Sequence, residues 1–543
     1  MNRLPRGGRI DRGRTLNFRF DGRKLHGYAG DTLASALLAN DIAIVGRSFK
    51  LHRPRGIVGK GAEEPNAILQ VGEGGLAEPN VRATQVELYD GLVARTTKGW
   101  PGVRFDLGAI NGLLSKGLSA GFYYKTFMRP RSMWKFYERL IRASAGFGWA
   151  PQQADPDAYE HVNSHCDVLV VGGGPAGLMA ALAAARSGAR VILADEQNEF
   201  GGSLLESCDR IDEMSGTDWV AKTVDVLDGL KNVTLLPRST VFGYYDHNFL
   251  AIAERCTDHL LTLNRTVVPQ RLWRVRARQV VLAQGAFERP LVFDNNDRPG
   301  VLLASAVSAY IHRYAVRPGK RAVVFTNNDS AYRTALDLLQ AGASVVVIDS
   351  RVDGQGTLRS GAESAGITVL TGHVVSDTIG RRRIRGVRVA GYPGTGDAAV
   401  KSNIRIDCDL LAVSGGWSPA VHLHSQAGGR NLWDEGLQAF VPESSVASCV
   451  SAGAANGRLS LDACLKDGHG AGVLVATRCG YDAPVVDVPT SDSCEDYGLQ
   501  PLWRVPGERG PERCSRQFID FKMIRRWPIC GSRFARGIDT SNM

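Results

Sequence analysis

Apolar and polar positions divide the chain into blocks with different periods. Leu16, Phe18 and Phe20 alternate with Asn17 and Arg19, which predicts a strand. Asp21-Gly22 turns it into a second strand ending near Tyr28. Asp31 stands at the N-cap position of an apolar helix over 32–40. Strand, turn, strand and helix open a β-grasp module, ubiquitin-like or plant-ferredoxin-like, over residues 1–100. Residues 101–165 read as a helical linker region. Its aromatic and small residues (Phe122, Tyr123, Tyr124, Phe127, Met128 and Trp134) suit inter-domain packing, with a membrane or partner surface as the other reading. The polar, turn-prone stretch 152–164 reads as linker.

From Cys166 the pattern changes to buried strands alternating with helices. The strand 167–171 runs into a glycine loop at 172–177, a helix to Arg186 and a second strand at 190–194. The same β-α-β rhythm returns with strand 321–325, helix 331–341 and strand 344–349. The segment 279–285 is a strand reaching Gly285, and the turn 451–457 precedes a helix beginning at Leu461. The expected fold class is therefore α/β, a two-dinucleotide-binding Rossmann fold behind a β-grasp-like module. A first dinucleotide-binding domain is expected over 166–315 and 400–480. A second, degenerate Rossmann domain is expected over 316–399, and a partly disordered extension over 481–543.

The first unit carries the chemistry. Gly172, Gly174 and Gly177 fit G-x-G-x-x-G, with Pro175 and Ala176 between the last two. The first glycine permits the tight turn, the second lets backbone approach a pyrophosphate, and the third lets helix and strand pack closely. The helix N-terminus adds free N–H groups and the positive end of its dipole. Asp195 lies eighteen residues after Gly177, where a ribose-binding acid belongs, and Glu196 follows it. Two carboxylates there would repel a 2′-phosphate, which favours FAD or NAD over NADP. Gly201, Gly202 and Ser203 form a second flexible loop that can close over the pyrophosphate. In the second unit Thr326, Asn327, Asn328, Asp329 and Ser330 replace the glycine loop; their side chains would crowd a phosphate and Asp329 would repel it. Near Gly453, Ala454 stands where many flavoproteins place the aspartate that binds the flavin ribityl chain, which weakens FAD and leaves room for NAD.

Composition adds limits. The 543 residues suit about three domains. The 62 glycines exceed the roughly 7% share of an average protein, as many tight turns and close backbone approaches would require. A net charge of +10 is spread over scattered bases without an aromatic-interleaved module, so nucleic acid is not an expected partner. The ten cysteines form no CxxC pair and none precedes Cys166, which argues against a disulfide reductase and against an iron–sulfur cluster in the β-grasp module. No metal site is expected. The eleven histidines, His259, His312 and His469 among them, sit in no diagnostic setting, and no catalytic residue is nominated. No stretch suits a signal peptide or a membrane span, so a soluble, cytoplasmic protein is expected.

Longer strings are more specific than any Rossmann motif. Residues 30–38, 46–50, 53–56, 64–66 and 121–125, and then 287–290, 295–300, 326–329 and 414–419, resemble the α subunits of heterotetrameric sarcosine oxidases. They resemble more distantly the related subunits of opine oxidases and amino-acid dehydrogenases. The resemblance spans about residues 15–505. It implies NAD in the glycine-loop domain, with Ala176, Asp195, Glu196, Gln197, Ser203, Val241 and the 454–461 turn, including Leu459 and Leu461, around it. It implies FMN at the contact with a β subunit, FAD and amine oxidation in that β subunit, smaller further subunits, and electron transfer to oxygen with hydrogen peroxide as product. Members of the family continue into an aminomethyltransferase-like, folate-binding domain. Here the sequence after Val505 becomes basic and patternless, and residues from about 509 are expected to be a shifted or truncated, disordered end. The amine could be sarcosine, another N-methyl amino acid, an opine or proline. A stand-alone FAD-dependent NADH oxidoreductase and an inactive assembly subunit remain as alternatives.

Overall fold

Alternation decides the N-terminal sheet. The strand Asp11–Phe20 buries Leu16, Phe18 and Phe20 and pairs antiparallel with Arg23–Ala29. Asp21 and Gly22 both take positive φ, as a two-residue hairpin turn requires. Across the sheet the order is 23–29, 11–20, 93–96, 68–71 and 78–82, with 93–96 parallel to the first strand. The helix Leu33–Ala39 is buried along its whole length. Its N-cap is Thr32 and not the expected Asp31: Ser35 N–H donates to Thr32 Oγ1 and Thr32 N–H donates to Ser35 Oγ. The Asp31 carboxylate accepts instead from Arg3, the Tyr28 N–H and Ser35 Oγ–H. A buried carboxylate is better satisfied by a guanidinium than by a cap alone.

The structure, a computed structural model, describes residues 2–112, 130–257, 259–260, 267–354, 356–394, 402–482, 487–491, 497–506, 517–520 and 525–526. Of the large apolar residues singled out above, Phe122, Tyr123, Tyr124, Phe127 and Met128 lie outside these, and Trp134 is exposed.

The second sheet has strand order 233–236, 191–194, 160–171, 270–282, 249–255 and 239–245, with 449–451 also pairing 270–282. Its strands from 233–236 to 270–282 are parallel. The strand entering the glycine loop begins at Glu160, inside the stretch expected to be linker. Residues 160–165 alternate exposed and half-buried against Arg271–Arg276, so polarity hid them, and only 166–171 form an apolar run. The third sheet, 301–303, 410–414, 321–326, 344–349 and 368–371, is parallel throughout. A three-strand meander of 373–380, 384–391 and 402–406 stands beside it. The fold is thus an α/β two-dinucleotide-binding architecture behind a β-grasp-like module. One apolar core joins that module to the third sheet, from Phe18 and Leu37 through Tyr310 and Val316 to Val324 and Tyr332. Among the described residues no helix is long and apolar enough to cross a membrane.

Of the C-terminal stretch 509–543, only 517–520 and 525–526 are described. Asn296 Nδ2 donates to the Phe518 carbonyl and accepts the Phe518 N–H on Oδ1, while Arg53 and Arg55 lie over its ring.

Candidate dinucleotide site

The apolar strand ending at Val171 delivers Gly172 at φ +99°, where an added Cβ would strike the Ala283 carbonyl. The helix Pro175–Arg186 starts at once, with Gly174 as N-cap and Pro175 in its first turn. No side chain caps it, so its first N–H groups point into the cleft unclaimed by a cap. A Cβ on Gly177 would overlap the Gly172 carbonyl, so the third glycine is what lets helix and strand touch. Around Gly174 there is room: the nearest atom to an added Cβ is Gly202 Cα at 4.0 Å. The second loop crosses here, with Gly201 N–H donating to the Gly173 carbonyl (2.7 Å) and Gly202 at φ +53° before Ser203.

The helix is fixed from behind by the helix Leu461–Arg478. Gly468 and Gly472, one turn apart, lie against Ala176 and Ala180 so closely that a Cβ on either would overlap their backbone. Gly453 lies equally close to the Ala176 methyl. The Gly453 N–H donates to Asp467 Oδ2 (2.8 Å), a carboxylate of that same helix, so the turn at 453–456 is closed from inside. Ala454 brings no acid to the cleft, and Leu461 is buried while Leu459 is half-buried.

At the strand end Asp195 accepts the Gly173 N–H on Oδ2 (2.6 Å) and the Gln197 N–H on Oδ1 (2.7 Å). Both its oxygens are thus engaged by backbone that shapes the loops, and burial raises its pKa. Glu196 is held differently. Burial, then Asp195 and Glu63, push it up to about 7, and its carboxylate accepts from Gln85 Nε2 at 3.3 Å. Val241 lies two residues beyond Ser239, whose N–H donates to the Asp195 carbonyl, and its side chain joins the core with Ile192 and Ala194. Gly285, at φ +77°, has open space at its Cα and follows Ala283, the residue that meets Gly172. Glycine loop, acid pair, second loop and 453 turn therefore converge on one helix N-terminus.

Sequence reasoning missed the rim. Gln85, Glu63 and Arg82 come from the β-grasp module, Arg255 from the neighbouring hairpin, and Arg313 donates to Gln197 Oε1 and Asn198 Oδ1. The module is clamped to this edge by Arg238–Glu87 (2.5 Å) and Arg9–Glu199 (2.7 Å). No local motif marks these residues, because each acts across more than fifty positions of sequence.

The comparisons with known proteins agree with this geometry. A family model described as "Pyridine nucleotide-disulphide oxidoreductase" matches residues 166–439, half of the chain. A "Sarcosine oxidase subunit alpha" of Rhizobium meliloti (strain 1021) is 46% identical over 96% of this chain and 51% of its own length. The chain belongs to the pyridine nucleotide-disulphide oxidoreductase family, and nearly all of it is similar to sarcosine oxidase alpha subunits. A second such subunit, from Corynebacterium sp. (strain P-1), is 39% identical over 95% of this chain and 49% of its own. This chain thus spans about half the length of the curated relatives it matches. The solved structure of an L-proline dehydrogenase from P. horikoshii superposes with a TM-score of 0.57 at 20% identity, over 89% of this chain and 77% of that one, which supports the fold. A "2Fe-2S iron-sulfur cluster binding domain" model matches residues 13–99 of this alpha-subunit homologue. That stretch contains no cysteine, so the thiolates such a cluster needs are not there.

Proposed function

We propose that this chain is the NAD-holding subunit of a sarcosine oxidase-like complex. Such a complex is an oxidoreductase acting on CH–NH bonds with oxygen as acceptor, turning sarcosine into glycine with hydrogen peroxide as product. The observation that carries the reading is the cradle itself: an uncapped helix N-terminus, open space at Gly174 and a crossing loop at Gly202–Ser203. Gly172, Gly174, Pro175, Ala176 and Gly177 would face the pyrophosphate, with Gly202 and Ser203 above it. Asp195, Glu196 and Gln197 would take the ribose, with Val241, Gly285, Gly453, Ala454, Leu459 and Leu461 enclosing the rest. Ala454 supplies no carboxylate for a flavin ribityl chain, which favours NAD over FAD in this cleft.

The relatives are named as oxidase subunits, which supports partner subunits for this chain. In the proposal, FMN lies at the contact with a β subunit, FAD and the amine pocket lie in that β subunit, smaller subunits complete a heterotetramer, and the complex is cytoplasmic. The bound flavins would carry the electrons from amine to oxygen. This chain's residues bind and orient the nucleotide, and its backbone N–H groups hold the pyrophosphate charge.

The test is to purify the full chain alone and after co-expression with a candidate β partner, then release and identify the cofactors. NAD on the lone chain with FMN only in the complex is expected. A lone chain that is yellow with FAD would overturn the reading in favour of a stand-alone FAD-dependent NADH oxidoreductase. Failure to bind nucleotide would leave an inactive assembly subunit, and failure to bind the partner as well would leave a defunct product that cannot assemble.

A further inference from the structure

Away from the dinucleotide cleft, three elements bring a thiol, an imidazole and a carboxylate into line. Cys208 lies in the loop that follows the Gly202–Leu205 turn, with Sγ 3.8 Å from His312 Nδ1. Nε2 of the same ring is 2.9 Å from Asp337 Oδ1, and Asp337 Oδ2 accepts Ser308 Oγ–H at 2.6 Å. His312 closes the helix Ala304–His312 and Asp337 belongs to the helix Ala331–Gln340. Asp209, next to the cysteine, accepts from Arg333 on both oxygens (2.8 and 3.0 Å), which clamps the loop to the helix that carries Asp337. Of the seven described cysteines Cys208 alone is exposed; Cys256 is half-buried and the others are buried.

The order of contacts favours one neutral tautomer. In the neutral ring, a proton on Nε2 faces Asp337 and leaves the Nδ1 lone pair toward the thiol. Partial burial and the carboxylates of Asp337 and Asp209 hold the Cys208 thiol above its ordinary range, so the thiolate is not the resting form and a base is needed to make it. Burial pulls the His312 imidazole down, but Asp337, helped by Glu206 and Asp209, leaves it above the ordinary histidine value. A simple packing contact between thiol and ring would need no carboxylate behind the ring.

We propose that Cys208 is a peroxide-reactive thiol whose proton passes through His312, with Asp337 as the positioning residue and a hydroperoxide as the substrate class. In the step, the Sγ proton moves to His312 Nδ1 and Sγ attacks one peroxide oxygen. An S–O bond forms, the O–O bond breaks, and the leaving hydroxide takes the proton back from His312 as water. Sulfur is oxidised to the sulfenic acid and the peroxide is reduced, so thiol and hydrogen peroxide give sulfenic acid and water. The same loop carries Gly201 and Gly202 against the glycine loop, so an oxygen added at Cys208 bears on the segment that covers the cradle. The proposed oxidase chemistry would supply the peroxide, but the assignment rests on Cys208, His312 and Asp337 and is tested with peroxide added from outside.

The experiment treats the full chain with hydrogen peroxide at neutral pH in the presence of dimedone and maps the adduct by peptide mass spectrometry. Cys208 is expected to be labelled first among the ten cysteines, and faster than N-acetylcysteine amide. His312→Asn is expected to slow labelling by about tenfold or more, and Asp337→Asn by less, within what a positioned base contributes. Raising the pH until the thiol ionises unaided should narrow the gap between wild type and both variants, which a merely distorted loop would not do. A melting curve on each variant identifies one that fails to fold, and the other then carries the comparison. Equal neutral-pH rates in wild type and variants, or a Cys208 no faster than the free thiol, would overturn the proposal whether or not the chain serves an oxidase.

Discussion

Residues 166–202 and 321–351 are one strand–loop–helix–strand unit built twice, and the difference lies in what fills the space above the helix N-terminus. In the first unit three glycines and a crossing glycine loop leave that space to a ligand. In the second, Thr326, Asn327, Asn328 and Asp329 are buried and satisfy one another and their surroundings. Asn328 Nδ2 donates to Ser414 Oγ (3.0 Å), and Thr326 Oγ1 donates to the Asn328 carbonyl (2.8 Å). The segment 497–500 then closes over the loop: Asp329 N–H donates to the Tyr497 carbonyl, and Asn327 and Gln500 exchange backbone and side-chain hydrogen bonds. Arg351 lies between Asp329 and Asp349, 2.7 Å from each. In the first unit the acid at the second strand's end, Asp195, is held by the Gly173 and Gln197 N–H groups beside the proposed ribose site; in the second, the equivalent Asp349 pairs with an internal cation. A Rossmann unit can keep its shape with protein in the ligand's place.

The comparison breaks hardest at Arg351. Arg351→Met would leave Asp329 and Asp349 buried without their cation, and should cost about 3–5 kcal/mol in denaturant unfolding. A loss below about 1 kcal/mol would mean that the ion pairs do not hold this loop closed. The glycine loop gives the complementary result. Gly177→Ala must push helix from strand, because its Cβ has no room beside the Gly172 carbonyl, and should cost about 2–4 kcal/mol as an overpacked contact. Gly174 is extended, with φ −75° that any residue adopts, and has open space, so Gly174→Ala should change stability by less than about 1 kcal/mol. The same methyl stands where backbone must approach the pyrophosphate, and NAD affinity by calorimetry should fall at least about tenfold, roughly 1.4 kcal/mol. If Gly174→Ala binds NAD like wild type, the cradle assignment fails.

How far the sequence carried each unit follows from range. The strand 167–171, the glycine spacing and Asp195 were legible because turn, dipole and helix–strand packing are set by neighbours in sequence. The Asn-rich replacement of the second loop was legible as crowding, since side chains stood where glycines belong. What crowds it further was not: Tyr497 and Gln500 arrive from some 170 residues away. The same holds for Gln85 and Glu63 at the ribose edge, for Asp467 behind Gly453, and for the line from Cys208 to His312 and Asp337. The early start of the strand at Glu160 was missed because a half-exposed edge with polar residues on both faces carries no period. The cap at Thr32 rather than Asp31 turned on Arg3, which reaches the carboxylate from the far end of the module.

A pH-dependent effect sharpens the contrast between the two acids. Asp195 is engaged on both oxygens by backbone N–H groups, while Glu196 faces Asp195 and Glu63 with Gln85 as its hydrogen-bond donor. Glu196 is raised from 4.5 to about 7. The sign follows from which state keeps the proton: between pH 4.5 and about 7 the folded chain holds it and the unfolded chain has released it. Stability from this group is therefore full below the unfolded value and is lost as pH rises through the folded one. Glu196→Gln removes the charge without the shape, so the variant should be more stable than wild type above pH 7, by at most about 3 kcal/mol, and indistinguishable from it near pH 4. Nucleotide binding should move the other way, because a neutral amide accepts the ribose hydroxyls less well than a carboxylate. A variant that gains stability at high pH and loses NAD affinity identifies Glu196 as the acid left free for the ligand; equal affinity would return that role to Asp195.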